Sequence, residues 1–181
     1  MIEMYSPPLS ISFLMLRRCL YRWLGHFSRI FPFSSGRAVI FCYHAIGNDD
    51  WLYGETKETF IRQVEYLSAK GYTWISLREL SEKLNRQEMF DRPYAVLTFD
   101  DGYRDVLLVK EFLYERGIVP TVFVLAEPEC ANRSELTTSR EFLSWNEIRQ
   151  LKQDGWEIGC HSATHADFSL LSAEAMKREI G

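Results

Sequence analysis

A chain of 181 residues, 46% hydrophobic and 25% charged, is long enough to bury one core without covalent staples and too apolar to be a disordered polymer. Its net charge of -4 lacks the basic face that phosphate backbones require, which argues against a nucleic-acid partner. Four cysteines, Cys19, Cys42, Cys130 and Cys160, fall in no C-x-x-C spacing and make no disulfide framework.

Residues 1–36 read as an N-terminal extension. An apolar run from Leu9 to Leu16 precedes Arg17, Arg18, Arg22 and Arg29. The run is too short to span a bilayer, and its charges follow the apolar stretch, the reverse of a secretory signal. Two readings stay open. One is a helix packed on the domain or a loosely ordered arm; the other is an amphipathic helix on a membrane surface, with Trp23 and Phe27 on its apolar side. The expected location is the cytoplasm or the membrane periphery.

From residue 37 to 181 strand-like and helix-like segments alternate. "RAVIFCYH" is a β-rich run, followed by a polar loop that carries Trp51 and Tyr53. In "TKETFIRQVEYLSAKG" Phe60, Val64 and Leu67 recur at helical spacing, with Thr56 as cap and Gly71 as terminator. "YTWIS" is the next strand, and "SLRELSEKLN" a short helix with Ser76 and Glu79 at capping-box spacing. "RPYAVLTF", "IVPTVFVLA" and "WEIGC" are further strands. Between and after them, helices are expected over "GYRDVLLVKEFLYERG", "SWNEIRQLKQDG" and "SAEAMKREI". Cys42 and Cys160 lie inside apolar runs and are expected to be buried and reduced. The alternation predicts an α/β fold with a parallel sheet, open or closed into a barrel.

Ligands of parallel α/β folds bind at the carboxyl rim of the sheet. His44 follows the first strand-like run, Asp100 and Asp101 follow "AVLTF", and His161 follows "WEIGC", with His165 four residues on. Two adjacent carboxylates before a glycine are an ordinary solvated turn when they stand alone. Convergence of three strand ends on one rim favours chemistry instead. Two imidazoles and a carboxylate leave a divalent ion with open positions, as catalytic sites do. The second carboxylate could then take a proton from water. Adjacent residues on an extended backbone point to opposite faces, which would let the two aspartates divide the work. Trp51 and Tyr53 could stack on a sugar ring, or fold over the domain as loop aromatics commonly do; Phe99 and Tyr103 are expected to pack.

"TFDDG" (Thr98–Gly102) followed by "HSATH" (His161–His165) resembles the first two motifs of the NodB-homology polysaccharide deacetylases, and the resemblance runs from about Arg37 to the last residue. It implies a distorted (β/α) barrel and metal-dependent removal of acetyl groups from N-acetylglucosamine polymers, or from acetylated xylan in some members. It implies Asp100 as general base, Asp101, His161 and His165 as ligands of one divalent ion, usually Zn2+, and His44 as general acid, as in a permuted subgroup. The later motifs of that family do not follow His165, so the barrel is expected to be incomplete at the C-terminus. Two other functions fit the residues: a non-haem iron oxygenase, which needs no second aspartate, and an inactive carbohydrate-binding remnant.

Overall fold

In the computed structural model, residues 36–47, 51, 53–131 and 140–181 are described. The candidate amphipathic helix of the N-terminal extension, with Trp23 and Phe27, and also Cys19, lie outside them. Among the described residues no helix is long and apolar enough to cross a membrane.

The central strand is β5 (Tyr94–Phe99), whose six residues are all buried. Such a continuous apolar run is what a strand covered on both faces requires. Strand β1 (Ala38–Tyr43) pairs with it in parallel along its whole length, from Ala38 opposite Tyr94 to Tyr43 opposite Phe99. Strand β4 (Thr73–Trp74) pairs with its first two residues and β6 (Thr121–Val124) with its last two. Strand β7 (Glu157–Cys160) joins β6, giving the order β1-β5-β6-β7. Two short strands, β2 (Ala45–Ile46) and β3 (Gly54–Glu55), pair with each other. The pairings among β1, β4, β5, β6 and β7 are parallel, as the alternating sequence predicts, whereas β2 and β3 form in a segment that reads as a polar loop. Among the described residues β1 and β7 each have a neighbour on one side only.

The helices start where side-chain caps occur in the sequence. Thr56 accepts from the Thr59 amide before α1 (Lys57–Ala69), and Ser76 from the Glu79 amide before α2 (Leu77–Asn85). A reciprocal capping box of Ser144 and Glu147 opens α4 (Trp145–Gln153), and Ser172 caps α5 (Ala173–Ile180). The segment after the acidic pair departs from the expected single helix. Its first half, Arg104–Val109, is a 3-10 helix, and only Lys110–Glu115 (α3) is α-helical. In that first turn the Asp105 carboxylate is committed to the Ile46 amide and Arg140, which draws it toward the loop after β1.

The main core lies between the sheet and helices α1, α3 and α4. Leu97, Phe99 and Val122 meet Phe60, Val64, Leu113, Ile148 and Leu151 there, and Phe99 stacks on Trp156 with ring centroids 5.9 Å apart. A second cluster places Tyr94 and Val96 of β5 against Leu80 of α2. A third, at the carboxyl rim, joins Ala45, Tyr103 and Leu125 to Trp51 and Phe142. Phe99 and Tyr103 are fully buried, as packing residues should be.

The expected burial of Cys42 and Cys160 is not found; both are exposed. One face of β1 packs Phe41 and Tyr43 onto the core, while the other presents Ile40 and Cys42 outward. Cys160 sits at the end of β7, an edge of the sheet. An apolar run identifies a strand but not whether a neighbour covers it.

Candidate metal centre

Asp100 continues the line of β5: its amide donates to the Tyr43 carbonyl at 2.8 Å, which places it beside the end of β1. The next residue breaks the line. Asp101 has φ 66° and Gly102 φ 71°, two successive left-handed positions. This turn, and not strand alternation, separates the two carboxylates, because Asp101 is no longer on an extended backbone. Gly102 is required twice over: by its φ, and because a Cβ there would stand 2.9 Å from Val124 Cγ1. Asp101 itself is only 3% exposed.

The histidine loop leaves β7 with the His161 amide bonded to the Val124 carbonyl at 2.8 Å. It is not a helical turn. Ser162 has φ 67° and His165 φ 61°, so two non-glycine residues adopt a conformation that costs each roughly 1–2 kcal/mol. The same loop pairs with the segment after β6, where Ala126 donates to the Ser162 carbonyl and Glu127 to that of Ala163. From this loop both imidazoles turn toward Asp101.

One ligand atom from each of Asp101, His161 and His165 lies within 4.8 Å of the others. The Nε2 atoms of His161 and His165 each stand 3.3 Å from Asp101 Oδ1. Oδ1 is buried between the two imidazole nitrogens. A buried carboxylate oxygen so placed is satisfied by a proton on a facing imidazole or by a cation held between all three groups. Two ligands at about 2.0–2.1 Å on a tetrahedral ion stand roughly 3.3 Å apart, which matches the two spacings between Asp101 and the histidines. The donor set, two nitrogens and one carboxylate oxygen, suits Zn2+ and similar ions. The Asp101 carboxylate raises the basicity of His161, outweighing its partial burial, and the charge of Asp100 adds to the effect. A cavity of about 320 Å³ opens beside the histidines, lined by Cys160, His161, Ser162, His165, Ala166 and Phe168.

The remaining sequence candidates stand along the same rim. Asp100 is half-buried, and its Oδ2 accepts the Cys42 thiol at 3.0 Å. His44 follows β1 directly, with its ring 5.2 Å from that of Tyr53. Tyr53 is 45% exposed, whereas Trp51 is tucked edge-on against both Tyr53 and the buried Tyr103. The loop that carries His44 is pinned on its far side: Ile46 donates to Asp105 at 3.0 Å, and Gly47 to the Glu55 carbonyl at 2.8 Å. Arg140 in turn pairs with Asp105 and lies over the Trp51 ring.

Sequence reasoning missed Cys42 as a partner of Asp100, and missed the Asp105–Arg140 pair. It also missed Glu179, whose carboxylate holds Thr164 inside the histidine loop and whose pKa those bonds lower. Each is a polar contact across 15 to 58 residues, which no local pattern encodes.

A family model described as polysaccharide deacetylase matches residues 87–181, just over half of the chain. YxkH of Bacillus subtilis (strain 168), which carries a polysaccharide deacetylase name, is 24% identical over 142 residues, covering 78% of this chain and 48% of that protein. The chain thus spans about half the length of the curated relative it matches. Two solved structures share the fold. Streptococcus pyogenes deacetylase PplD, in complex with acetate, superposes with a TM-score of 0.64 at 21% identity, over 81% of this chain and 65% of that one. IcaB from Ammonifex degensii gives 0.63 at 23%, over 78% and 58%. Both relations support the α/β assignment and the barrel type, of which the described strands form a part.

Proposed function

The chain belongs to the polysaccharide deacetylase family, and from that premise we propose that it removes N-acetyl groups from an N-acetylglucosamine-containing polysaccharide or oligosaccharide, with one divalent ion held by Asp101, His161 and His165. The observation that carries this reading is the meeting of those three side chains within 4.8 Å at the rim where Asp100 also ends its strand. An ion bound there, Zn2+ by its donor set, would supply Lewis-acid polarisation of the amide carbonyl and acidification of water.

The chain's own residues divide the proton transfers. Asp100, at the open rim, accepts the proton of the attacking water. The Cys42 thiol donates to its Oδ2 and so fixes the orientation of the carboxylate. His44, at the neighbouring strand end, donates a proton to the departing sugar amine, and acetate is the second product. Tyr53 presents an exposed ring beside His44, which suits the apolar face of a pyranose, with Trp51 supporting it from behind.

The test combines ion uptake with acetate release from chitooligosaccharides. Unmodified protein should bind about one Zn2+ and release acetate. Asp101→Ala and His165→Ala should lose the ion, since each removes one of three ligands. Asp100→Asn should keep the ion and lose about two to four orders of magnitude in rate, the usual contribution of a general base. Loss of the ion in Asp100→Asn with its retention in Asp101→Asn would exchange the two roles.

A further inference from the structure

The geometry points to Glu179, on α5, as a positioning residue that presets the histidine loop for its ion; the inference rests on the reading of Asp101, His161 and His165 as a metal centre. The loop cannot hold its shape by local preference. Ser162 and His165 are both left-handed at φ 67° and 61°, and neither is glycine. Something outside the loop must over-determine it.

On one side the segment after β6 does so, but it reaches only Ser162 and Ala163, through the amides of Ala126 and Glu127. Closer to His165 the hold passes to α5. The Ala163 amide donates to the Glu179 carbonyl at 3.0 Å. The Thr164 amide donates to Glu179 Oε2 at 2.9 Å, and its hydroxyl to Oε1 at 2.7 Å. One carboxylate therefore takes both polar donors of the residue immediately before His165. The His165 amide then closes on Ser162 Oγ at 3.0 Å, completing the turn.

A carboxylate suits this task because it offers two acceptor oxygens and no donor. A glutamine side chain keeps one acceptor oxygen for the amide but turns an NH2 toward the hydroxyl, which must then accept instead of donate, and both bonds lose their charge assistance. Glu179 acts on the histidines through Thr164. Its effect belongs to ion affinity and loop order, since groups that orient metal ligands from behind commonly set affinity by one to two orders of magnitude.

The experiment has two readouts. Amide hydrogen exchange at Ala163, Thr164 and His165, measured without metal, reports loop order. Co2+ affinity, measured by competition with a chromophoric chelator, reports the preset site. Glu179→Ala should speed exchange at Thr164 and weaken Co2+ binding roughly 10- to 100-fold. Thr164→Val should fall between it and the unmodified protein because it leaves the amide bond, and Glu179→Gln likewise because it replaces charge-assisted bonds with weaker neutral ones. Glu174→Ala, at an exposed position in the first turn of the same helix, should change neither readout. The inference is overturned if Glu179→Ala exchanges and binds Co2+ as the unmodified protein does, or if Glu174→Ala does equal damage. Absence of Co2+ uptake by the unmodified protein would overturn the metal-centre reading instead, while exchange at Thr164 still decides whether Glu179 holds the loop.

Discussion

Cys42 shows how one side chain can be exposed and yet chemically quiet. Its sulfur is half-enclosed and donates to Asp100, and burial together with that carboxylate pushes the thiol up to about 12. The neutral thiol is the form that burial and Asp100 stabilise, so little thiolate forms at pH 8. Alkylation by iodoacetamide at pH 8 should therefore lag far behind that of a model thiol peptide. Asp100→Asn, which removes the charge that opposes ionisation, should accelerate it. A mass-spectrometric time course checks both; reaction at the model rate in the unmodified protein would show that the contact does not persist in solution. The sign for stability follows from the same shift. The folded protein keeps its proton on Cys42 above the pKa of an unfolded thiol, so stability tied to this residue is complete below about pH 8.5 and declines as pH rises toward 12.

Between elements, the decisive contacts are caps and clamps formed by charged groups. Glu157 on β7 accepts the Thr121 hydroxyl of β6 at 2.8 Å and the Arg78 amide in the first turn of α2 at 3.2 Å. It thereby joins two strands to a helix N-terminus, where a negative charge is favoured. Glu157→Ala should lower unfolding free energy by about 1–2 kcal/mol in urea titrations, and Glu157→Gln by less, because one acceptor survives. A loss of under a few tenths in Glu157→Ala would mean that water replaces the bonds at no cost. Helices of this kind were legible in the sequence: Thr56 and Ser76 cap where pattern placed them. So were β1, β4, β5, β6 and β7, which stand out as apolar or β-rich runs, whereas β2 and β3 lie in a segment that reads as a polar loop. What covers each strand was not, and Cys42 and Cys160 consequently proved exposed. The meeting of Asp101, His161 and His165 was legible because strand ends share a rim. The left-handed turns that aim them were not, since φ near +65° is uncommon for any non-glycine residue and no local pattern here marks it.

At the scale of the whole molecule, the three side chains connect parts of the sheet that have no direct pairing. Asp101 leaves β5 and the histidines leave β7, with β6 hydrogen-bonded between them. Phe99 of β5, Val122 of β6 and Ile148 of α4 belong to one core cluster, so separating β5 from β7 means disrupting that core. An ion held by all three groups binds the folded chain and has no equivalent site in the unfolded one. Its stabilisation is then set by mass action, about 2.7 kcal/mol at a hundredfold excess over the dissociation constant. For a domain of this size that corresponds to a rise of roughly 5–11 °C in Tm. Zn2+ should produce such a rise in the unmodified protein, and chelation should reverse it. Asp100→Asn and His44→Ala should retain the rise, since neither residue is among the three that converge, whereas Asp101→Asn should abolish it. A Tm indifferent to Zn2+ in the unmodified protein would mean that the three side chains do not hold an ion in solution, and would remove the chemical basis for deacetylation by this chain.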